Sequence, residues 1–159
     1  MKTIPLTRGL VACVDDKDYE LLSKFRWYAH RCPNQDYFYA RCGLPYNGGT
    51  KQVLMHRMIL GLTDPKVGVD HIDCNTLNNC RDNLRLADKS QNGHNTGKRR
   101  VNTSGYKGVS WHRQSGKWLA QIVADKKWHY LGIYETPEAA HAAYCEAAER
   151  LHGQYARVS

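Results

Sequence analysis

Long apolar runs are missing from this chain. The stretch "LVACV" lies behind Lys2 and Arg8 and is too short for the apolar part of a secretion signal, and no run reaches membrane-spanning length. The expectation is a cytoplasmic protein with no membrane partner. Paired cysteines are missing too. Cys13, Cys32, Cys42, Cys74, Cys80 and Cys145 form no Cys-x-x-Cys, and the five residues between Cys74 and Cys80 are poor zinc spacing. Without a secretion signal these thiols are expected to stay reduced. A dimerisation heptad and internal repeats are also absent. Acidic residues are scarce in one stretch. Residues 93–134 hold eight Lys or Arg against one Asp, whereas 1–92 hold 13 against 10 and 135–159 hold two against four. Solubility alone does not call for so uneven a distribution. A basic middle beside a mildly acidic tail points to a surface for a polyanion, nucleic acid above all.

What is present can build a core. Hydrophobic residues make up 42% of 159 residues, enough for one domain or two small ones. Three blocks emerge. In the first, to about residue 64, "GLVACV" reads as a strand. "DDKDYELLSKF" reads as a helix capped by Asp15 or Asp16, with Tyr19, Leu22 and Phe25 at helical spacing. "WYAH" and "YFYAR" read as strands around the turn "CPNQD", and "GLPYNGG" as a further turn. "KQVLM" is a strand, and "HRMILGL" a helical turn or two ending near Gly61. The second block, "VDHIDCNTLNNCRDNLRLADKSQN", covers 69–92. It reads as strand, Asn-rich loop, strand and short helix, with "DKSQ" as a capping box that places Asn92 in the first turns of a helix ending near Gly97. "GHNTGKRRVNTSG" then has the composition of a linker, and Lys98, Arg99 and Arg100 suit contact with a phosphate backbone.

The middle block holds the chemistry. The Asp70 carboxylate and Asn92 carboxamide are hard oxygen donors that suit one Mg²⁺ or Mn²⁺ better than zinc. His71 titrates near neutral pH and can take a proton from water. Asn83 is the candidate to orient its ring. Strand neighbours point to opposite sides, so Asp70 and His71 need a bend or bulge to reach one site. The segment resembles the HNH nucleases, the ββα-metal or His-Me finger family, in the form of phage homing endonucleases. "DHIDxN", "NLR" and "SQN" carry that resemblance. It implies that Asp70 and Asn92 bind the metal, that His71 is the general base and that Asn83 positions it. Asn92 stands where many members have His, which leaves His94 as a rival ligand. Cys74 stands where Gly is usual, which implies strain in that turn. His56 and Arg57 match the segment ahead of the motif, and Arg57 is expected on a DNA phosphate.

The third block reads as strands at about 107–112, 117–124 and 127–133, then a helix capped by Thr136 with Pro137 at its first position. Ala140, Ala143, Tyr144, Ala147 and Leu151 line one helix face. Alternation turns Trp118, Ala120, Ile122, Leu131 and Ile133 toward that helix. Lys107, Ser110, His112, Lys117, Gln121, Val123, Trp128 and Tyr130 fall on the open face, which suits a duplex groove. The block resembles the Apetala-type domain of plant ethylene-response factors through "YKGV", "GKWLAQI", "YLGIY", "TPEAAHAAY" and "LHG", and the resemblance implies that these eight residues face DNA. The fold class expected is α+β, a ββα-metal nuclease unit plus a three-stranded antiparallel sheet with one packed helix. Residues 1–97 would be the nuclease domain, with its HNH core at 67–97. Residues 98–104 would be the linker and 105–159 the reader. The function expected is a phage-type, metal-dependent homing endonuclease that nicks double-stranded DNA as a monomer. The alternative is a non-catalytic DNA-binding regulator on an HNH scaffold.

Overall fold

The structure is a computed structural model that describes residues 1–33, 36–97 and 101–158. Lys98, Arg99 and Arg100 lie outside the described residues. The chain divides into two compact units, Met1–Asp88 and Lys89–Ser159. The class is mixed α and β, with four small antiparallel sheets among the described residues. No helix of the described residues is long and apolar enough to cross a membrane.

In the first unit, β1 (Lys2–Pro5) pairs antiparallel with β2 (Val11–Val14). Helix α1 (Asp16–Leu22) follows with Asp15 at its N-cap and Asp16 and Asp18 in the first turn, where the helix dipole favours anions. Strands β3 (Tyr28–Arg31), β4 (Phe38–Tyr46) and β5 (Gly49–Leu54) form a meander with β4 in the centre. The expected turn "GLPYNGG" is shorter than its composition suggests. Strand β4 continues through Pro45 to Tyr46, and only Asn47 and Gly48 turn, both at positive φ (45° and 76°) as a tight hairpin requires. Pro45 is tolerated because β3 pairs only as far as Arg41, leaving this end of β4 with β5 as its partner. Helix α2 (Met55–Ile59) turns the chain back, and β6 (Val69–His71) pairs with β7 (Leu84–Leu86) as a two-stranded ribbon.

One core joins these pieces. Ile4, Ala12, Val14, Leu22, Trp27, Ala40, Cys42, Met55 and Ile59 are buried, and Leu84 and Val69 attach the ribbon to them. Leu22, Met55 and Val14 are among the fully buried side chains, each contributing about 1.5–3 kcal/mol. The Trp27 indole N–H donates to the Leu22 carbonyl at 2.8 Å, so the core's large polar handle is satisfied.

The second unit starts with helix α3 (Lys89–His94). Strands β8 (Val109–His112), β9 (Lys117–Ala124) and β10 (Lys127–Tyr134) then form a sheet in the order β10-β9-β8. Helix α4 (Pro137–His152) packs across it. Thr136 caps α4 as expected, its hydroxyl accepting from the Ala139 N–H at 3.2 Å. Two expectations shift by a residue. The buried face of α4 is Ala140, Tyr144, Ala147, Ala148 and His152, and Leu151 is 37% exposed. In β10 the register slips between Tyr130 and Gly132. Leu131 therefore packs into the core, while Ile133 pairs with Leu119 on the open face rather than facing α4.

Candidate functional site

The β6–β7 ribbon carries the Asp-His pair. Its register runs Val69–Leu86, Asp70–Arg85, His71–Leu84 without a shift, so the bulge expected from alternation is not formed. The two side chains serve different surroundings instead. Asp70 meets the residue directly across the ribbon, where Arg85 donates to its Oδ2 through Nε at 2.8 Å and Nη2 at 2.6 Å. Both side chains are largely enclosed, at 8% exposure for Asp70 and 15% for Arg85. His71 packs against His56 from α2 and Tyr39 from β4. The His56 and His71 rings stand perpendicular at 5.1 Å between centroids, and Tyr39 lies 5.4 Å from His56 and 6.0 Å from His71.

Electrostatics follow from burial. Desolvation lowers the pKa of His71, while a side-chain hydrogen bond with Asn79 and the charges of Asp73 and Asp70 work to raise it. Near neutral pH the ring is therefore uncharged and can accept a proton. His56 is pushed down to about 3, first by burial, then by His71 and Arg57. Burial is also the first cause that lifts the Tyr39 hydroxyl to about 12.

The Asn-rich loop after β6 is a folded object. Asn83 Nδ2 donates to Asp73 Oδ1 at 2.9 Å and to the Asn78 carbonyl at 2.8 Å, and its Oδ1 accepts from the Asp73 N–H at 3.0 Å. Asn78 Nδ2 closes the ring on Asp73 Oδ2 at 2.8 Å. Partial burial acts to raise the Asp73 carboxyl, but these donors outweigh it and hold its pKa low. The loop docks on β2 through Cys13 N to the Leu77 carbonyl (2.9 Å) and Asn79 N to the Cys13 carbonyl (2.8 Å). Arg81 ties it to α1, with Nε and Nη2 on the Asp18 carboxylate at 2.8 and 2.7 Å and its own N–H on Asp15 Oδ2 at 2.8 Å. Asp15 thus serves the loop with its side chain. Cys74 takes φ 61°, the left-handed conformation that its place in the motif implied.

The structure gathers Asp70, His71, Asn79, Arg85, His56 and Tyr39 about the ribbon. Asn83 is placed at the loop's hinge, with Asp73 and Asn78. Asn92 lies on α3, in the second unit. His94 there stacks on His152 at 3.6 Å with planes 6° apart. Arg57 turns inward: its guanidinium donates to the Val67 carbonyl at 2.6 Å and to the Asp64 carbonyl, pinning the loop after α2. Two partners, Arg85 and Tyr39, were not foreseen, whereas His56 lies in the segment that matched ahead of the motif. Arg85 could have been found by laying 69–71 against 84–86, since it faces Asp70 directly. Tyr39 lies 32 positions before His71 with no local signal that links it to the ribbon, while the signal for His56, 15 positions before, was the match of its segment ahead of the motif.

Among the described residues no group of three or more His, Cys, Asp or Glu gathers as a metal cage. Within the first unit the enclosed Asp70 carboxylate is a hard oxygen donor. That suits an Mg²⁺-like ion, which takes one or two protein oxygens and completes its shell with water and phosphate.

The open face of the second unit's sheet carries His112 opposite Lys117, Ser110 opposite Leu119, Gln121 opposite Tyr130 and Val123 opposite Trp128. Trp128 and Tyr130 are 69% and 68% exposed. Lys117 pairs with Glu135 at 2.6 Å at the surface, and His112 Nδ1 meets Ser115 Oγ at 2.8 Å. Lys107 stands apart from this set. Its ammonium donates to the His94 and Arg157 carbonyls at 2.8 and 3.0 Å and lies over the Tyr144 ring of α4.

Comparison with known proteins gives the class. Residues 50–94 match the family model of the HNH endonuclease, and residues 104–154 match the AP2 domain. A protein described as an uncharacterised HNH endonuclease, from Acanthamoeba polyphaga mimivirus, is 30% identical over 154 residues, covering 94% of this chain and 74% of that protein. Protein 3.8 of Escherichia phage T7 is 40% identical over 89 residues, covering 56% of this chain and 73% of that protein. The chain belongs to the HNH endonuclease family and carries an AP2 domain behind its HNH segment. The ethylene-responsive transcription factor WRI1 of Arabidopsis thaliana is 46% identical over 52 residues, 31% of this chain and 12% of that protein. The solved structure of the HNH homing endonuclease I-HmuI is similar at TM-score 0.36 and 22% identity, over 77% of this chain and 74% of that one.

Proposed function

We propose that the protein is a site-specific, metal-dependent DNA endonuclease of homing type that hydrolyses a backbone phosphodiester and nicks one strand. The observation that carries this reading is the buried Asp70-His71 pair on its ribbon, within an HNH segment that shares a chain with an AP2 domain. In this reading the fold around the pair is of ββα-metal type. His71 accepts the proton of the attacking water. Asp70 and Asn92 would hold one Mg²⁺ or Mn²⁺, which when bound supplies positive charge against the charge that builds on phosphate. Asn83 acts by holding the loop that follows His71. Ser110, His112, Lys117, Gln121, Val123, Trp128 and Tyr130 face duplex DNA, and Lys98, Arg99 and Arg100 track its backbone. Arg57 and Lys107 are assigned to structure, since their cations hold main-chain carbonyls. The division of labour is nuclease over 1–97, linker over 98–104 and reader over 105–159. Helix α3 counts with the HNH segment by its sequence match, which ends at residue 94, and with the second unit by compactness.

The test is cleavage by pure protein with and without divalent metal. His71→Ala should lose about 10²–10⁴ in rate while duplex binding stays within a few-fold, because a general base acts on water and not on affinity. Cleavage by this variant at the wild-type rate would remove His71 from the role assigned here.

A further inference from the structure

We infer that His56 and Tyr39, which lie outside the Asp-His, Asn and Asn positions of the motif, are positioning residues that fix the imidazole of His71. The perpendicular contact at 5.1 Å sets the edge of one imidazole against the face of the other. Tyr39 closes a second side of His71 and is itself braced edge-on by Tyr37 at 5.7 Å. Each wall is carried by rigid structure. Tyr39 lies in the central strand β4, paired with His30 on β3. His56 lies in α2 beside the fully buried Met55, and its carbonyl accepts from the Leu60 N–H at 3.1 Å. His56 and His71 are 6% and 4% exposed, so the His71 ring cannot turn about its Cβ–Cγ bond without displacing a packed neighbour. Burial keeps the His56 ring uncharged, so it packs against the base without setting a cation beside it. Neither residue is argued to touch substrate. Their work is to keep one imidazole nitrogen aimed where the water proton will be, and misorientation of a reacting group by about 1 Å costs roughly 10²-fold in rate.

The catalytic consequence rests on His71 being the general base, so the experiment reads the ring separately from the reaction. Full-length protein labelled with ¹³C in its histidine rings is studied by NMR relaxation, with the His71 signal assigned by its loss in His71→Gln. The same preparations are tested for nicking of supercoiled plasmid with Mn²⁺. In wild type the His71 ring should relax with the backbone, as a fixed group does. In His56→Ala the ring should become mobile and the nicking rate fall about 10²-fold, with plasmid affinity unchanged. His56→Phe, which restores a ring edge, should recover both within a few-fold, and Tyr39→Phe should match wild type in both. If His56→Ala does not fold, as judged by amide dispersion, His56→Leu takes its place, since it keeps volume without a ring. A folded Ala or Leu variant whose His71 ring stays rigid overturns the inference, as does a Phe variant no better than Ala. A wild-type protein that does not nick would count against the nuclease reading, and the ring relaxation would still decide the positioning.

Discussion

Asp70 and His71 are neighbours in sequence and yet answer to different parts of the molecule, one to Arg85 across the ribbon and one to His56 and Tyr39. If Asp70 and the α3 carboxamide are the metal ligands, Asp70→Ala and Asn92→Ala should each abolish Mg²⁺-dependent cleavage. His94→Ala should cost only a few-fold, because the His94 ring is engaged in stacking on His152. Metal titrations of the three variants check this, and an essential His94 beside a dispensable Asn92 would move the ligand by two positions. The depressed pKa of His56 also makes a stability prediction. An unfolded-state histidine titrates near 6.5, whereas in the folded chain His56 is pushed down to about 3. As pH falls below about 6.5, the unfolded chain takes up a proton that the folded one refuses. The stability from keeping His56 neutral is therefore full above that pH and is lost toward pH 3, by at most about 1.4 kcal/mol per pH unit. Urea midpoints from pH 7 to pH 4 should fall less steeply for His56→Phe than for wild type. Parallel curves would show that His56 protonates in the folded state at ordinary pH.

At the scale of elements, the loop between β6 and β7 behaves as a third layer clipped to the N-terminal hairpin and α1. Arg81 is the clip with the most at stake, because it makes a two-pronged bond to Asp18, whose side chain is only 9% exposed. Arg81→Met should leave that carboxylate enclosed without its cation. Breaking a fully buried pair costs about 3–5 kcal/mol, and the 38% exposure of Arg81 reduces the expectation to about 2 kcal/mol. Urea unfolding measures the loss. A larger drop in cleavage than in stability would add that the clip also holds the loop register around Asn83. Strand β1, the first strand of the N-terminal hairpin, was not read from the sequence, whereas the meander, the ribbon and the three-stranded sheet were legible as patterns of alternation and turn residues. Their ends were less so. Composition marked Pro45 as a turn residue, but hydrogen bonding to β5 kept it in the strand. A bulge at Tyr130 and Gly132 changed which face Ile133 occupies, and Gly132 inside the strand, at φ 132°, was its local signal, left unread.

For the whole molecule, one Asp-His-Asn-Asn set per chain predicts one cut per binding event. Supercoiled plasmid carrying a target should pass to open circle first, with linear product late or absent, and sedimentation should find one protein per duplex. Two centres related by a dyad would be needed to cut both strands together. Immediate linear product with second-order dependence on protein concentration would therefore indicate a dimer.

The sequence by itself determined the order of the blocks, the Asp70-His71 pair, the family of the HNH segment and most of the open face of the second unit's sheet. Those features live in local spacing, in alternation, and in residue types that few other arrangements use. Only the tertiary structure decided the company they keep. Arg57 and Lys107 are cations that local reasoning sends to phosphate, and the fold turns them onto main-chain carbonyls. His56 and Tyr39 reach His71 only because β4 and α2 pack on the same core as the ribbon. Contacts between residues far apart in the chain depend on how whole elements pack, and that packing is set by every buried side chain at once rather than by any one stretch.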